Sequence, residues 1–203
     1  VGNEGKIMTL NGIDTSAAGQ GASFNWTPYR GKVQFAFTKI SEGLTFADPD
    51  ALRNIAQMRA LGITPGGYHF LHAGLSGASQ AEYFLQAAKR AGLGAGCLLA
   101  IDAEDGGLDG CTPAEMENAA AEFVGELRRH FPGFWPELYT EISLAPAFTS
   151  LGNCPLWLAN PSGKTIKSIG PWKQVSFEQT GQRGVDTDEF YGDAAALAKL
   201  TVR

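Results

Sequence analysis

Three carboxylates fall within four residues of "LLAIDAED" (98–105), directly after a run that looks fully buried. Leu98 to Ile101 have the continuous apolar character of a strand covered on both faces. Asp102, Glu104 and Asp105 are side chains that seldom go inside without a partner. Side chains alternate along a strand, so Asp102 and Glu104 share a face with Leu98 and Ala100, their Cα atoms about 6.5–7 Å apart. Two carboxyls in one poorly solvated basin repel, which raises the pKa of the less solvated one. A pair of this kind can hold one proton for donation while the partner stays charged, the requirement of general acid catalysis. A helix cap or a solvated strand end explains a lone acid more simply, and we read Asp105, Asp109, Asp188 and Glu189 that way. The same explanation suits Asp102 and Glu104 poorly, because the residues before them are so apolar.

Further acids gather at comparable places. Asp14 closes the segment "NGIDTS" (11–16), and Asp186 lies in "VDTDEF" (185–190). Tyr68, Tyr139 and Trp157 stand near the ends of other apolar segments. Sugar rings present apolar faces to aromatic rings and hydroxyls to polar groups, so acids beside Tyr and Trp point to a carbohydrate site. A metal centre is the competing use of such acids, with His69 and His72 nearby. Three positions apart on a strand, those histidines face opposite sides and make a poor ligand pair. No metal and no cofactor is therefore expected, and His69 reads as a hydrogen-bonded core residue.

Apolar segments and helical patterns alternate through the first 130 residues. Strands are expected at 11–16, 34–40, 66–71 and 97–104. The first helix should open at Asp48 with Pro49 at its first position and stop at Gly62. A second should run from about Ser76 to Ala91, and a third from Thr112, where Thr112 and Glu115 form a capping box before the stripe Met116, Ala120, Phe123, Val124, Leu127. Later strands are expected at 136–141, 154–161, 173–178 and 185–190, separated by short intervals with at most one brief helix near 143–151. Eight strands joined at first by helices imply an α/β fold, a TIM-like barrel whose outer helices belong mainly to its first half. A full barrel of eight helices usually needs roughly 250 residues, and this chain has 203. An open doubly wound sheet is disfavoured because no G-x-G-x-x-G follows the first strand. Residues 1–10 read as an N-terminal extension and 11–203 as one catalytic domain.

Composition sets the outer bounds. With 44% hydrophobic and 18% charged residues the chain can bury a sizeable core. Its net charge of −5, without a Lys/Arg run, gives a nucleic-acid partner no electrostatic support. No apolar stretch is long enough to span a membrane, and "VGNEGKIMTL" lacks a signal-peptide core. Cys97, Cys111 and Cys154 have no CxxC spacing, which argues against structural zinc.

Taken in order, "GIDTS", "FAFTKISEGLTFADP", "GITPGGYHFLHAG", "SQAEYFLQAA", "LLAIDAED", "LYT", "CPLWLANP" and "GVDTDEF" resemble the family 25 glycoside hydrolases, the Chalaropsis-type lysozymes. The resemblance runs from residue 12 to about 191. It implies a barrel whose later units lack helices, and cleavage of the β-1,4 bond between N-acetylmuramic acid and N-acetylglucosamine in peptidoglycan. Glu104 takes the place of the general acid and Asp102 that of its partner carboxylate, expected to stay ionised. Asp14 and Asp186 take the other two acidic positions, while Tyr68, Tyr139 and Trp157 match aromatics of the cleft. The resemblance further implies a monomer acting on the bacterial cell wall, secreted or phage-released, as endolysin, autolysin or secreted enzyme. Retention of configuration with the substrate's N-acetyl group attacking, a covalent route through Asp102, and inversion all fit these residue types. Asp188 stands where the family commonly has Asn, and "ANPSG" and "KQVSF" depart from its usual aromatics, which leaves wall preference open. Some members carry cysteines in similar places, so a Cys111–Cys154 disulfide with Cys97 free is expected, against the alternative of reduced thiols. Chitinase-like hydrolases also end a strand with D-x-E, although this chain lacks their additional upstream Asp. A non-catalytic wall-binding barrel is the other alternative.

Overall fold

The computed structural model describes residues 8–203 of the chain, so part of the expected extension, residues 1–7, lies outside the described residues. Nine strands and four α-helices follow in the order β1 (Leu10–Thr15), β2 (Phe35–Glu42), β3 (Phe46–Ala47), α1 (Ala51–Ala60), β4 (Thr64–Phe70), α2 (Gly77–Arg90), β5 (Leu98–Asp102), α3 (Pro113–His130), β6 (Glu137–Glu141), β7 (Leu156–Ala159), β8 (Phe177–Arg183), β9 (Val185–Phe190) and α4 (Ala194–Ala198). Eight of the strands close a barrel in the order β1-β2-β4-β5-β6-β7-β8-β9, with β9 returning to β1, while β3 only folds back on β2.

Strands β1 to β8 of the barrel run parallel, and β9 runs antiparallel to both its neighbours. The reversal follows from chain length. Only Gly184, at φ +81°, separates β8 from β9, and a parallel partner would need a crossover of a dozen or more residues. Because β9 enters where the parallel strands leave, its first residues share the rim formed by their C-terminal ends. Asp186 consequently stands directly opposite Asp14 in the ladder.

Two expected boundaries move. The first helix starts at Ala51, because Asp48 spends its carboxylate on a turn, accepting from Asp50 N at 2.8 Å and from Ala17 N at 2.9 Å. The strand expected at 173–178 begins at Phe177, since Trp172 is tied to the Cys154 carbonyl at 2.7 Å and holds the preceding segment across the start of β7. The short helix α4, absent from the sequence expectation, places Leu197 under the barrel with Phe35, Leu98, Phe177 and Phe190. Near 143–151 only a 3₁₀ turn forms, at Ala145–Ala147. The capping box of α3 is present, with Thr112 accepting from Glu115 N and Glu115 accepting from Thr112 N.

The barrel is packed inside and out. Outward-facing Ile13, Ala36, Leu99, Ile101 and Leu158 meet helix residues such as Ile55, Met58, Phe84, Phe123 and Leu127, each large side chain worth about 1.5–3 kcal/mol of burial. Inside, Phe37 stacks on Trp157 with centroids 4.4 Å apart, and Phe35 meets Phe177 edge-on at 5.3 Å. Two phenylalanines on one strand fit because their ladder partners are Gly12 and Gly66. A Cβ at Gly12 would lie 2.3 Å from the Phe35 ring, and one at Gly66 2.5 Å from Phe37. This apolar plug blocks the lower barrel and leaves the polar residues at the upper rim.

Cys97, Cys111 and Cys154 are all free thiols, so the expected Cys111–Cys154 bridge is not formed. Cys111 lies just before the N-terminus of α3, whereas Cys154 senses the charge of Arg128 near the other end of that helix. Eighteen helical residues span about 27 Å, far beyond the reach of a disulfide.

Candidate active site

Seven residues singled out from the sequence, Asp14, Asp102, Glu104, Asp186, Tyr68, Tyr139 and Trp157, line one cavity of about 190 Å³ at the barrel mouth, together with Gln179 and Gln182. Alternation places them there. Phe35 and Phe37, Leu98 and Ala100, Phe177 and Phe190 point inward lower down, and the same faces carry Asp102, Gln179 and Asp186 upward. Glu104 lies two residues past Asp102, its backbone still extended at φ −130° and ψ 170°, before a 3₁₀ turn at Asp105–Gly107 carries the chain away. Side by side across the sheet, Phe70 pairs with Asp102, Asp102 with Tyr139, and Tyr139 with Trp157.

A hydrogen-bonded chain organises the far side of the cavity. Tyr139 Oη donates to Gln179 Oε1 at 3.1 Å, and Gln179 Nε2 donates to Asp14 Oδ2 at 2.8 Å. Trp157 Nε1 donates to Asp188 Oδ1 at 2.9 Å. Trp157 is only 2% exposed, clamped between Phe37 and Tyr139. It forms the cavity floor, and the flat sugar-stacking face expected of it is already taken by Phe37.

Burial governs the electrostatics. Asp14 is pushed up to about 7, first by desolvation, then by the charge of Asp186, with the Gln179 hydrogen bond pulling the other way. Desolvation and the neighbouring Glu104 hold Asp102 well above the usual carboxylate range. Glu104 is raised by desolvation, then by Glu141, and Asp186 by desolvation. Asp102 Oδ1 is buried without a hydrogen-bond partner. In the free site both carboxyls of the pair are thus pushed above their usual range. The deeper carboxyl, Asp102, is the harder one to ionise.

Sequence reasoning passed over four residues here. Asp188, read as a solvated strand end, is 2% exposed and lies beneath Asp14; two positions from Asp186, its inward direction was readable from alternation. Gln179 and Gln182 carried no signal of their own once the strand was placed too early. Lys39 follows Phe35 and Phe37 inward by alternation, whereas its partner Glu42 depends on a bulge. The β2–β4 register slips between Lys39 and Ser41, so Ser41 faces outward beside Ile40 and bonds His69, and Glu42 turns inward. Lys39 and Glu42 are then free to form an ion pair on the inner side of the rim. The Lys39 ammonium sits 4.7 Å above the Phe70 ring and opposes the rise at both Asp102 and Glu104. Glu42 is in turn held by His72, whose other nitrogen meets Asp109.

His69 is a core residue as expected, bonded to Ser41 at 2.9 Å and Gln80 at 3.3 Å, with burial pushing it down to about 3. Among the described residues no group of three or more His, Cys, Asp or Glu could hold a metal ion, and no helix is long and apolar enough to cross a membrane.

The family model for glycosyl hydrolases family 25 matches residues 13–187. A family 25 lysozyme from Aspergillus fumigatus superposes with a TM-score of 0.80 at 27% identity, over 97% of this chain and 100% of that one. A muramidase from Acremonium alcalophilum gives 0.80 at 27% identity, over 94% and 98%. A bacterial lysozyme from Streptomyces coelicolor shares the fold, with 0.80 at 24% identity over 95% and 96%. A search of curated proteins returned no match. The family match spans all four acids of the rim, and the chain belongs to the glycosyl hydrolases of family 25.

Proposed function

We propose that this glycoside hydrolase degrades peptidoglycan at the bacterial cell wall, cleaving the β-1,4 bond between N-acetylmuramic acid and N-acetylglucosamine. The observation that carries the reading is the convergence of Asp14, Asp102, Glu104 and Asp186, from three separate strands and one loop, on a single cavity floored by aromatics. Proteins that share the fold at 26–27% identity are described as lysozyme and muramidases.

Glycoside cleavage needs a proton on the leaving oxygen and negative charge near an oxocarbenium-like centre. Glu104 suits the first task, because it is the carboxyl of the D-x-E pair that is less deeply buried and its pKa is raised. Asp102 suits the second once substrate is present. An acetamido N–H donated to Asp102 would stabilise its anion and fill the vacancy at Oδ1, leaving the shared proton to Glu104. Lys39 favours charge on the pair as a whole. Tyr68 and Tyr139 would border the sugar, and the neighbouring cavity of about 390 Å³ beyond Glu104, walled by Ser143 and Asn160, offers room for the next residue of the glycan. All these groups come from one chain, so a monomer suffices.

A zymogram with embedded cell wall tests the reading. Clearing by the parent and none by Glu104→Gln at equal folding supports it. Clearing of chitin but not of wall would transfer the activity to another N-acetylated glycan.

A further inference from the structure

Asp188 takes no direct part in the chemistry above, yet it is buried in the most demanding position of the site. One oxygen, Oδ1, accepts from Trp157 Nε1 at 2.9 Å, while Oδ2 is buried with no hydrogen-bond donor to meet it. Its carboxyl adjoins that of Asp14, because the two side chains share the inner face of neighbouring strands, Asp188 opposite Gly12 and Asp14 opposite Asp186 two positions further on. Among the described residues neither acid has a cationic partner. Two adjacent carboxylates with so little access to water do not both stay charged, and the stable arrangement is a shared proton.

Geometry decides where that proton resides. Asp14 lines the open cavity and accepts from Gln179 Nε2 at 2.8 Å, so its anion has both solvent and a donor. Asp188 does not line the cavity, and Gly12, its ladder partner on β1, brings no side chain to it. We propose that Asp188 is a positioning residue that stays protonated on Oδ2 and donates to Asp14, fixing the orientation of that carboxylate beneath the substrate. In this role an acid does what an asparagine amide could do at the same place, accepting from Trp157 through one atom and donating to Asp14 through the other. Burial and the Asp14 charge both act to keep the proton there.

The inference rests on the hydrolase reading, and the experiment separates the two. Parent enzyme that fails to cleave purified wall overturns the hydrolase reading itself. With an active parent, Asp188→Asn should keep kcat within about threefold, because the amide retains both hydrogen bonds. Asp188→Leu, of similar volume but without a donor, should lower kcat by about 10- to 100-fold, the loss of one hydrogen bond to a charged group. Near-ultraviolet circular dichroism verifies folding of each. The readout independent of activity is isotope-edited infrared spectroscopy near neutral pH with labelled aspartate. A protonated carboxylic C=O band present in the parent should vanish in Asp188→Asn. Loss of an ionised carboxylate band instead, or an Asn variant as impaired as the Leu variant, overturns the proposal.

Discussion

Replacing Asp14 with Asn should stabilise the protein while stopping its activity, and the gain should depend on pH in a definite direction. Asp14 titrates at about 7 in the fold, against 3.8 when unhindered. Between those values the folded chain holds a proton that the unfolded chain has released. Stability contributed by this group is therefore intact below about pH 4 and lost as pH rises through 7. The full displacement corresponds to about 4 kcal/mol, a ceiling because Asp186 and Glu104 share in causing it. Asn keeps an oxygen for Gln179 Nε2 and carries no charge, so the variant escapes the loss. Near pH 7.5 it should exceed the parent by up to about 4 kcal/mol, or about 10 °C in Tm for a chain of this size. Near pH 4, where parent Asp14 is neutral too, the two should coincide. Urea unfolding of both proteins at the two pH values measures the double difference, which isolates Asp14 from the other raised acids. A variant no more stable than the parent near pH 7.5, or an offset equal at both pH values, would refute the argument.

Other outcomes follow from single sites. Glu104→Gln should slow wall lysis by about 10²–10⁴-fold through loss of positioned acid catalysis, while Asp105→Asn stays close to the parent; the opposite pattern in a turbidity assay would mean that the wrong acid has been assigned. Gly77→Ala should destabilise by about 3 kcal/mol or more, because its Cβ would fall 1.8 Å from the Ala119 carbonyl oxygen where α2 crosses α3; an unchanged denaturant midpoint contradicts that packing. Unfolded without reductant, the protein should release three titratable thiols, and a count of one would restore the disulfide.

The barrel was legible in the sequence wherever local chemistry and tertiary demand agree. The capping box of α3 and the apolar run before Asp102 each encode their structure within a few residues. Alternation alone carried Asp102 and Asp186 to the cavity. What escaped depends on distant partners. The reversal of β9 needed the length of its connection to be noticed, and the bulge that turns Glu42 inward to Lys39 is set by pairing with β4. The start of β8 was hidden because Trp172 answers to Cys154, eighteen residues earlier. Asp188 could have been found, since the alternation that turned Asp186 inward applies equally two residues on. Trp157 lines the cavity, but its contact with Phe37 could be known only in three dimensions.

The bond that is cut tests the central claim most directly. Purified peptidoglycan digested to completion and reduced with borohydride labels each newly formed reducing end, and mass spectrometry of the fragments identifies the sugar that carries it. Reduced N-acetylmuramic acid at those ends, formed by the parent and not by Glu104→Gln, is the predicted result. Reduced N-acetylglucosamine would contradict the proposed bond specificity, and equal release by the Glu104 variant would contradict the proposed acid.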